Sequence, residues 1–217
     1  LLKITNRPTR LDDMMIPPMM HGVKVVSIGM FLDKNEPVSW RGPMLHKAIE
    51  QFLSDVYWGD LDFLIVDMPP GTGDVSISIG QLLPNAKALV VTTPAADASL
   101  VAVRSAMASH RAGQEILGVV ENLSWVENQD GSKFELFGTG GGKDLAEKIS
   151  EFVGNEINVL SQIPVSKNMA QASDTGNPLV TLGLDDASVK ALNELIELVA
   201  ETKLGKNQRQ LQVKLTS

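Results

Sequence analysis

The stretch Phe63-Leu64-Ile65-Val66-Asp67-Met68-Pro69-Pro70-Gly71-Thr72-Gly73-Asp74 decides the predicted fold. Its four leading apolar residues show no polar alternation, which predicts a strand covered on both faces, as in parallel sheets. Asp67 would follow this strand at the carboxyl edge of the sheet, where open α/β folds bind ligands. Gly71 and Gly73 allow a close backbone approach to a phosphate. Asp67 can therefore hold Mg²⁺ through water, as in nucleotide hydrolases, or the segment is only a rigid strand-to-helix turn capped by Asp74.

Four further apolar runs are each followed by a turn signal and a helical pattern. They cover residues 23–28, 88–93, 116–120 and 157–163, and the second of them also lacks polar alternation. Residues 42–56 carry one apolar helical stripe, and the last helix has Asp185 or Asp186 placed to cap its start. Strand, helix and strand in alternation need crossover connections. The sequence therefore predicts an α/β fold with a doubly wound, mainly parallel sheet and helices on both faces.

Composition narrows the classes of function. The 217 residues are 43% hydrophobic and 21% charged, and 19 Lys and Arg against 26 Asp and Glu give a net charge of −7. This balance argues against nucleic acid and membrane partners. The absence of cysteine excludes disulfides and a thiolate-ligated iron–sulfur cluster on this chain alone. No apolar run approaches the ~20 residues of a membrane span, and no secretory signal begins the chain, so we expect a cytoplasmic protein.

A nucleotide hydrolase also needs a lysine-bearing loop that cradles phosphate. The candidate Gly138-Thr139-Gly140-Gly141-Gly142-Lys143-Asp144 departs from the G-x-x-x-x-G-K-[ST] pattern at both ends. Phe137 stands where the first glycine is required, and Asp144 follows Lys143. We interpret the segment as a glycine loop that leads into a helix over 143–152. Because the chain begins with Leu1 rather than Met, the true phosphate loop is expected upstream.

Asn122 is the other polar side chain expected at a carboxyl edge, since it follows the run 116–120. Its amide can donate and accept hydrogen bonds together, which suits the edge of an adenine. A turn cap explains it equally well from its chemistry alone.

Several of these segments closely resemble the Mrp-type ATPases of the deviant-Walker group, which includes MinD and ParA and is associated with carrying iron–sulfur clusters. The segments are Pro37-Val38-Ser39-Trp40-Arg41-Gly42-Pro43-Met44, Trp58-Gly59-Asp60-Leu61-Asp62, the stretch 67–74, Val120-Glu121-Asn122-Leu123-Ser124-Trp125, Phe137-Gly138 and Gln162-Ile163-Pro164. The resemblance extends to about Ala200, and the order of its motifs is specific.

The resemblance implies a cytoplasmic homodimer that binds and hydrolyses ATP with Mg²⁺ and transfers clusters to acceptor or scaffold proteins. By similarity, Asp67 would be the catalytic second-motif acid that acts on Mg²⁺ through water. Gly71 and Gly73 would belong to the switch that senses the γ-phosphate, and Asn122 would contact adenine.

The same resemblance makes residues 1–203 a partial P-loop NTPase domain that lacks its first strand and phosphate loop, with a polar tail at 204–217. Hydrolysis is therefore expected of the complete protein and not of this chain alone. A sheet without its first strand should expose an edge or gap and favour self-association.

Many relatives place a Cys-x-x-Cys pair after the Glu-Asn-(Met/Leu)-Ser segment, where it bridges a cluster between subunits. Here that stretch reads Val126-Glu127-Asn128-Gln129-Asp130-Gly131-Ser132-Lys133. The usual mode of cluster binding is therefore not expected on this chain. Two alternative functions stay open: a degenerate dimerising module that keeps the fold without nucleotide chemistry, and a positioning ATPase similar to ParA or MinD.

Overall fold

A computed structural model describes residues 2–31, 42–69, 74–128 and 130–204. In these ranges the strands and helices are β1 (Thr9–Leu11), β2 (Met14–Ile16), β3 (Met19–Met20), β4 (Val23–Lys24), α1 (Gly42–Ser54), α2 (Asp74–Leu82), β5 (Lys87–Thr92), α3 (Ala96–Arg111), β6 (Glu115–Glu127), β7 (Lys133–Phe134), α4 (Gly141–Val153), β8 (Val159–Val165), α5 (Lys167–Thr175) and α6 (Ala187–Leu204). The proposed switch residues Gly71 and Gly73 lie outside the described residues, as does the predicted tail beyond Leu204.

The main sheet is built around β6. Strands β5 and β8 both pair with β6 in parallel, through partners such as Val90 with Val119 and Val119 with Val159. The short β7 pairs with the far end of β6 in the antiparallel sense, where Val126 lies opposite Phe134. The prediction of an α/β fold with a mainly parallel sheet is confirmed.

Helices cover both faces of the sheet. Val119 has no exposed surface and packs in a core that α3 and α4 share, with Ala106, Leu145 and Ile149. Ser161 of β8 is paired with Val120, so it lies on the opposite face, and its hydroxyl donates to the carbonyl oxygen of Ala191 in α6 at 3.1 Å. The sheet is therefore wound on its two faces, as the sequence predicts.

Three helices agree closely with their sequence patterns. α1 covers 42–54 of the predicted 42–56, and α4 begins two residues before the predicted 143–152. α6 starts at Ala187, and the carboxylate of Asp186 accepts the backbone N–H of Ser188 at 2.8 Å. Of the two candidate caps, Asp186 is the one that binds the first turn of α6.

Three of the strand predictions need correction. Residues 63–66 form no strand, and Ile65 is 89% exposed. A strand is stable only when a neighbour satisfies the hydrogen bonds of its backbone, and among the described residues no strand pairs with 63–66.

β5 forms as predicted but is covered on one face only, since Leu89 and Val91 are exposed on the side away from α3. Of the predicted run 23–28, only Val23–Lys24 is a strand.

The first residues attach to the rest of the fold through two hairpins, β1 with β2 and β3 with β4. Met15 bonds through its backbone to Asp55 and Tyr57, which follow α1. No helix in the described ranges is long and apolar enough to cross a membrane.

Candidate functional site

A buried carboxylate lies at the carboxyl edge of the sheet. Glu121 of β6 is 2% exposed, and its Oε2 accepts the backbone N–H of Gly142 at 2.6 Å. Its Oε1 accepts the side-chain amide of Gln162 in β8 at 2.8 Å. A buried carboxylate is costly without such partners. The positive end of the α4 dipole also stabilises it. Glu121 therefore joins the start of α4 to the two strands β6 and β8.

The glycine loop, residues 138–142, ends in very close packing. A Cβ at Gly141 would lie 2.4 Å from the carbonyl oxygen of Pro94, and one at Gly142 would lie 2.9 Å from Glu121 Oε2. The hydroxyl of Ser99 in α3 donates to the carbonyl oxygen of Gly141 at 3.1 Å. The turn after β5, the middle of β6 and the start of α4 thus meet at one place. The sequence interpretation of a mere connecting loop missed this packing.

Asn122 lies next to Glu121 on β6, and side-chain alternation places it on the opposite face of the sheet. Its Oδ1 accepts the backbone N–H of Leu123 at 2.9 Å. Leu123 has φ of +59°, and the pairing of β6 with β8 is irregular between Asn122 and Val126. The strand therefore bends immediately after Asn122. This bond fixes the amide oxygen and leaves the amide hydrogens directed away from it, so the turn-cap interpretation and the adenine-contact interpretation are compatible.

A second polar group follows the carboxyl end of β8. The carboxylate of Asp186 accepts hydrogen bonds from Ser166 at 2.7 Å and from Asn168 at 2.9 Å, besides its bond to Ser188. Burial raises the pKa of Asp186, but these hydrogen bonds outweigh it and lower the pKa below the usual value. This network fixes the turn between β8 and α5 against the start of α6, beside the edge that carries Asn122.

Asp67 differs from these residues in its surroundings. It is exposed and follows the irregular residues 63–66 rather than a strand. In the part of the chain that the structure describes, Asp67 makes no hydrogen bond or ion pair with Asn122. Its predicted role at Mg²⁺ stays a prediction, as do the roles of Gly71 and Gly73.

Two ligands are predicted from the sequence, a nucleotide and an iron–sulfur cluster, and the residues present suit them to different degrees. Asn122 has a side chain that could suit an adenine, because an amide can donate to a purine nitrogen; its contact with a base stays a prediction. An iron–sulfur cluster does not fit this chain: it contains no cysteine, and no group of three or more His, Asp or Glu in the described ranges is placed to hold a metal ion. No step of cluster chemistry is therefore derived for its residues.

The fold is that of an α/β protein with a mainly parallel sheet and polar side chains at one edge of it. A family model described as NUBPL iron-transfer P-loop NTPase, of the ParA group, matches residues 1–200. The chain belongs to this family.

Known proteins agree with that assignment. The iron–sulfur cluster carrier protein of Mycobacterium leprae is 51% identical over 186 residues, which are 86% of this chain and 49% of that protein. A nucleotide-binding protein of Archaeoglobus fulgidus, solved in complex with ADP, is 27% identical with a TM-score of 0.60, over 80% of this chain and 65% of that one. MinD of Pyrococcus horikoshii, solved with Mg-ADP, shares the fold with a TM-score of 0.56 at 17% identity, over 90% of this chain and 72% of that one. The chain spans about half the length of the curated relatives it matches.

Sequence reasoning missed Glu121 as a structural centre of this edge. The available signal was a charged residue that ends the apolar run Leu117-Gly118-Val119-Val120 and directly precedes Asn122. Its partner Gly142 is 21 residues away, so the contact itself has no local pattern.

Proposed function

We propose that this chain is the nucleotide-binding part of an ATP-dependent carrier of iron–sulfur clusters, with the cluster as cargo. One observation supports the nucleotide assignment: at the carboxyl edge of the sheet, the Asn122 oxygen accepts the N–H of Leu123, which fixes the orientation of an amide that can donate to a base. Family membership and the name of the Mycobacterium leprae relative support the carrier assignment.

In this proposal Asn122 donates to an adenine nitrogen, and Asp67 holds Mg²⁺ through water. The metal supplies positive charge that neutralises the phosphates. Gly71 and Gly73 follow Asp67 closely in sequence and would sense the γ-phosphate. The phosphate-binding lysine would come from outside these 217 residues, since no segment of the sequence has the required pattern.

Thiolate ligands for the cargo would also come from outside this chain, because it contains no cysteine. We further propose a cytoplasmic homodimer with ATP-dependent closure, and acceptor or scaffold proteins as the recipients of the cluster. ATP hydrolysis belongs in this proposal to the full-length protein.

Binding of ATP and GTP to the full-length protein and its Asn122→Asp variant tests the nucleotide assignment. This change replaces a donor with an acceptor, so we expect about tenfold weaker ATP binding and a smaller preference for ATP over GTP. Asn155→Asp is the matched control, because Asn155 is exposed in the loop before β8, at the other end of the sheet.

Equal ATP affinity in the Asn122→Asp variant and the unsubstituted protein would contradict the adenine contact. Calorimetric titration with millimolar Mg·ATP that gives no binding signal for the full-length protein would instead favour the dimerising module without nucleotide chemistry.

A further inference from the structure

Glu121 is a buried acidic group to which the proposed function assigns no task. Its side chain is 2% exposed, and both carboxylate oxygens are engaged by partners from different elements, Gly142 of α4 and Gln162 of β8. Replacing it with an apolar residue would leave the buried N–H of Gly142 without an acceptor, which is costly, and would remove the partner of the exposed Gln162 amide. The position therefore requires an acceptor, and that requirement links separate parts of the edge.

The first linked part is the glycine loop. Because Gly142 has no side chain, its backbone approaches Glu121 to within 2.6 Å of Oε2. Ser99 holds the neighbouring Gly141 from the α3 side. The end of the glycine loop is thus held by hydrogen bonds to α3 and to β6, and Glu121 makes the bond from β6.

The second linked part is Asn122. It follows Glu121 directly, and the hydroxyl of Ser124 donates to the carbonyl oxygen of Glu121 at 2.8 Å, which closes the bend around Asn122. The Glu121 side chain and the Asn122 amide therefore project from adjacent residues of one backbone segment that Ser124 holds.

We propose that Glu121 is a positioning residue that keeps the Asn122 amide and the glycine loop in one fixed relation, so that the preference for adenine depends on Glu121 although Glu121 does not touch the base. The inference rests on the proposed function, since it concerns the same nucleotide site. It adds a residue that acts through Asn122.

Three variants of the full-length protein test it. Glu121→Ala removes both acceptors, and we expect about tenfold weaker ATP binding and loss of most of the preference for ATP over GTP. Glu121→Gln keeps an acceptor for Gly142, and its new N–H₂ group can pair with Gln162 once that amide is turned. We expect this conservative variant to restore most of the affinity and the base preference. Gln162→Ala breaks only the β8 contact and should give an intermediate loss.

Ser150→Ala is the matched control. Its hydroxyl accepts the backbone N–H of Ile157 at 2.8 Å, so this substitution also removes a half-buried hydrogen bond of α4, but near the far end of that helix. We expect it to lower the melting temperature and leave the ATP to GTP ratio unchanged. A readout without nucleotide is the hydrogen exchange of the Gly142 amide, which should accelerate in Glu121→Ala and stay slow in Glu121→Gln.

The outcomes separate the two proposals. If the unsubstituted protein binds ATP through Asn122 but folded Glu121→Ala keeps its affinity and base preference, the positioning role is overturned and the proposed function stands. If Glu121→Ala does not fold, an unchanged base preference in Gln162→Ala together with fast Gly142 exchange in the unsubstituted protein overturns the role. If the unsubstituted protein binds no ATP, both proposals fail.

Discussion

Gly141 lies so close to Pro94 that a Cβ on the glycine would be 2.4 Å from the proline carbonyl oxygen. This contact brings the turn after β5 directly against the start of α4. It leaves no room for any side chain at the first residue of that helix.

Gly141→Ala should therefore destabilise the chain by about 1–3 kcal/mol, the usual range for overpacking a close contact. The sign of this change in the free energy of unfolding is informative, because replacing glycine by alanine at an open helical position normally stabilises a protein by about 0.5–1 kcal/mol. Urea denaturation measures the change. Lys143→Ala, at an exposed position in the same turn, should change the free energy of unfolding little, and a stabilised Gly141→Ala variant would contradict the packing.

Asp186→Ala should reduce the free energy of unfolding at pH 7 by about 1 kcal/mol, because it removes the cap of α6. The pKa of Asp186 is lowered in the folded state, so its contribution is present above the usual value of 3.8 and is lost as pH falls through the folded-state pKa. The difference between variant and unsubstituted protein should thus shrink in acid. Denaturation curves from pH 7 to pH 3 measure it.

Asp185→Ala is the control for that experiment, because Asp185 is 88% exposed and pairs with the exposed Lys190 at 2.7 Å. Surface pairs contribute about 0–1 kcal/mol. A loss at Asp185 that exceeds the loss at Asp186 would contradict the assignment of the cap.

The 217-residue chain should form higher oligomers at micromolar concentration, because one face of β5 and residues 63–66 expose apolar side chains to solvent. Val91 is 57% exposed and Ile65 is 89% exposed, so Val91→Lys and Ile65→Lys together should shift sedimentation profiles toward smaller species. Gln81→Lys adds one such charge at an exposed polar position without removing apolar surface, and should leave the profile unchanged. Monodisperse behaviour with unfolding well above about 60 °C would count against this expectation.

Asp67→Asn in the full-length protein should abolish most ATP hydrolysis while nucleotide binding persists, because a neutral amide stabilises Mg²⁺ and its waters less than a carboxylate does. Phosphate release measures hydrolysis, and calorimetry measures ADP binding. The exposed Asp60→Asn is the control. Normal hydrolysis by Asp67→Asn would remove Asp67 from the proposed magnesium site.

The sequence predicts local features of this fold well. The positions of α1 and α6 follow from apolar stripes, that of α4 from the glycine loop before it, and the parallel strands β6 and β8 from apolar runs. Residues 63–66 show the same kind of run, yet they form no strand, because a strand also depends on a neighbour that composition does not reveal.

The candidate site also combines features that the sequence indicates with features that it does not reveal. The sequence singles out Asn122 as a polar residue after the apolar run 116–120, but β6 continues past it to Glu127, and its contact with adenine stays a prediction. The contacts of Glu121 with Gly142 and of Ser99 with Gly141 were not predicted, because they join residues 21 and 42 positions apart. Distant contacts of this kind follow from the assembled fold and have no signature in spacing.

Leu123 keeps a left-handed backbone at φ of +59°, a conformation that costs a non-glycine residue about 1–3 kcal/mol. Glycine would relieve that strain at once, yet it would also free the peptide whose N–H holds the Asn122 oxygen. The protein thus tolerates a permanent loss of stability at this one residue in exchange for a rigid amide. Selection for heat resistance alone would favour glycine at position 123, whereas the proposed contact with a base would favour the residue that keeps the Asn122 amide fixed.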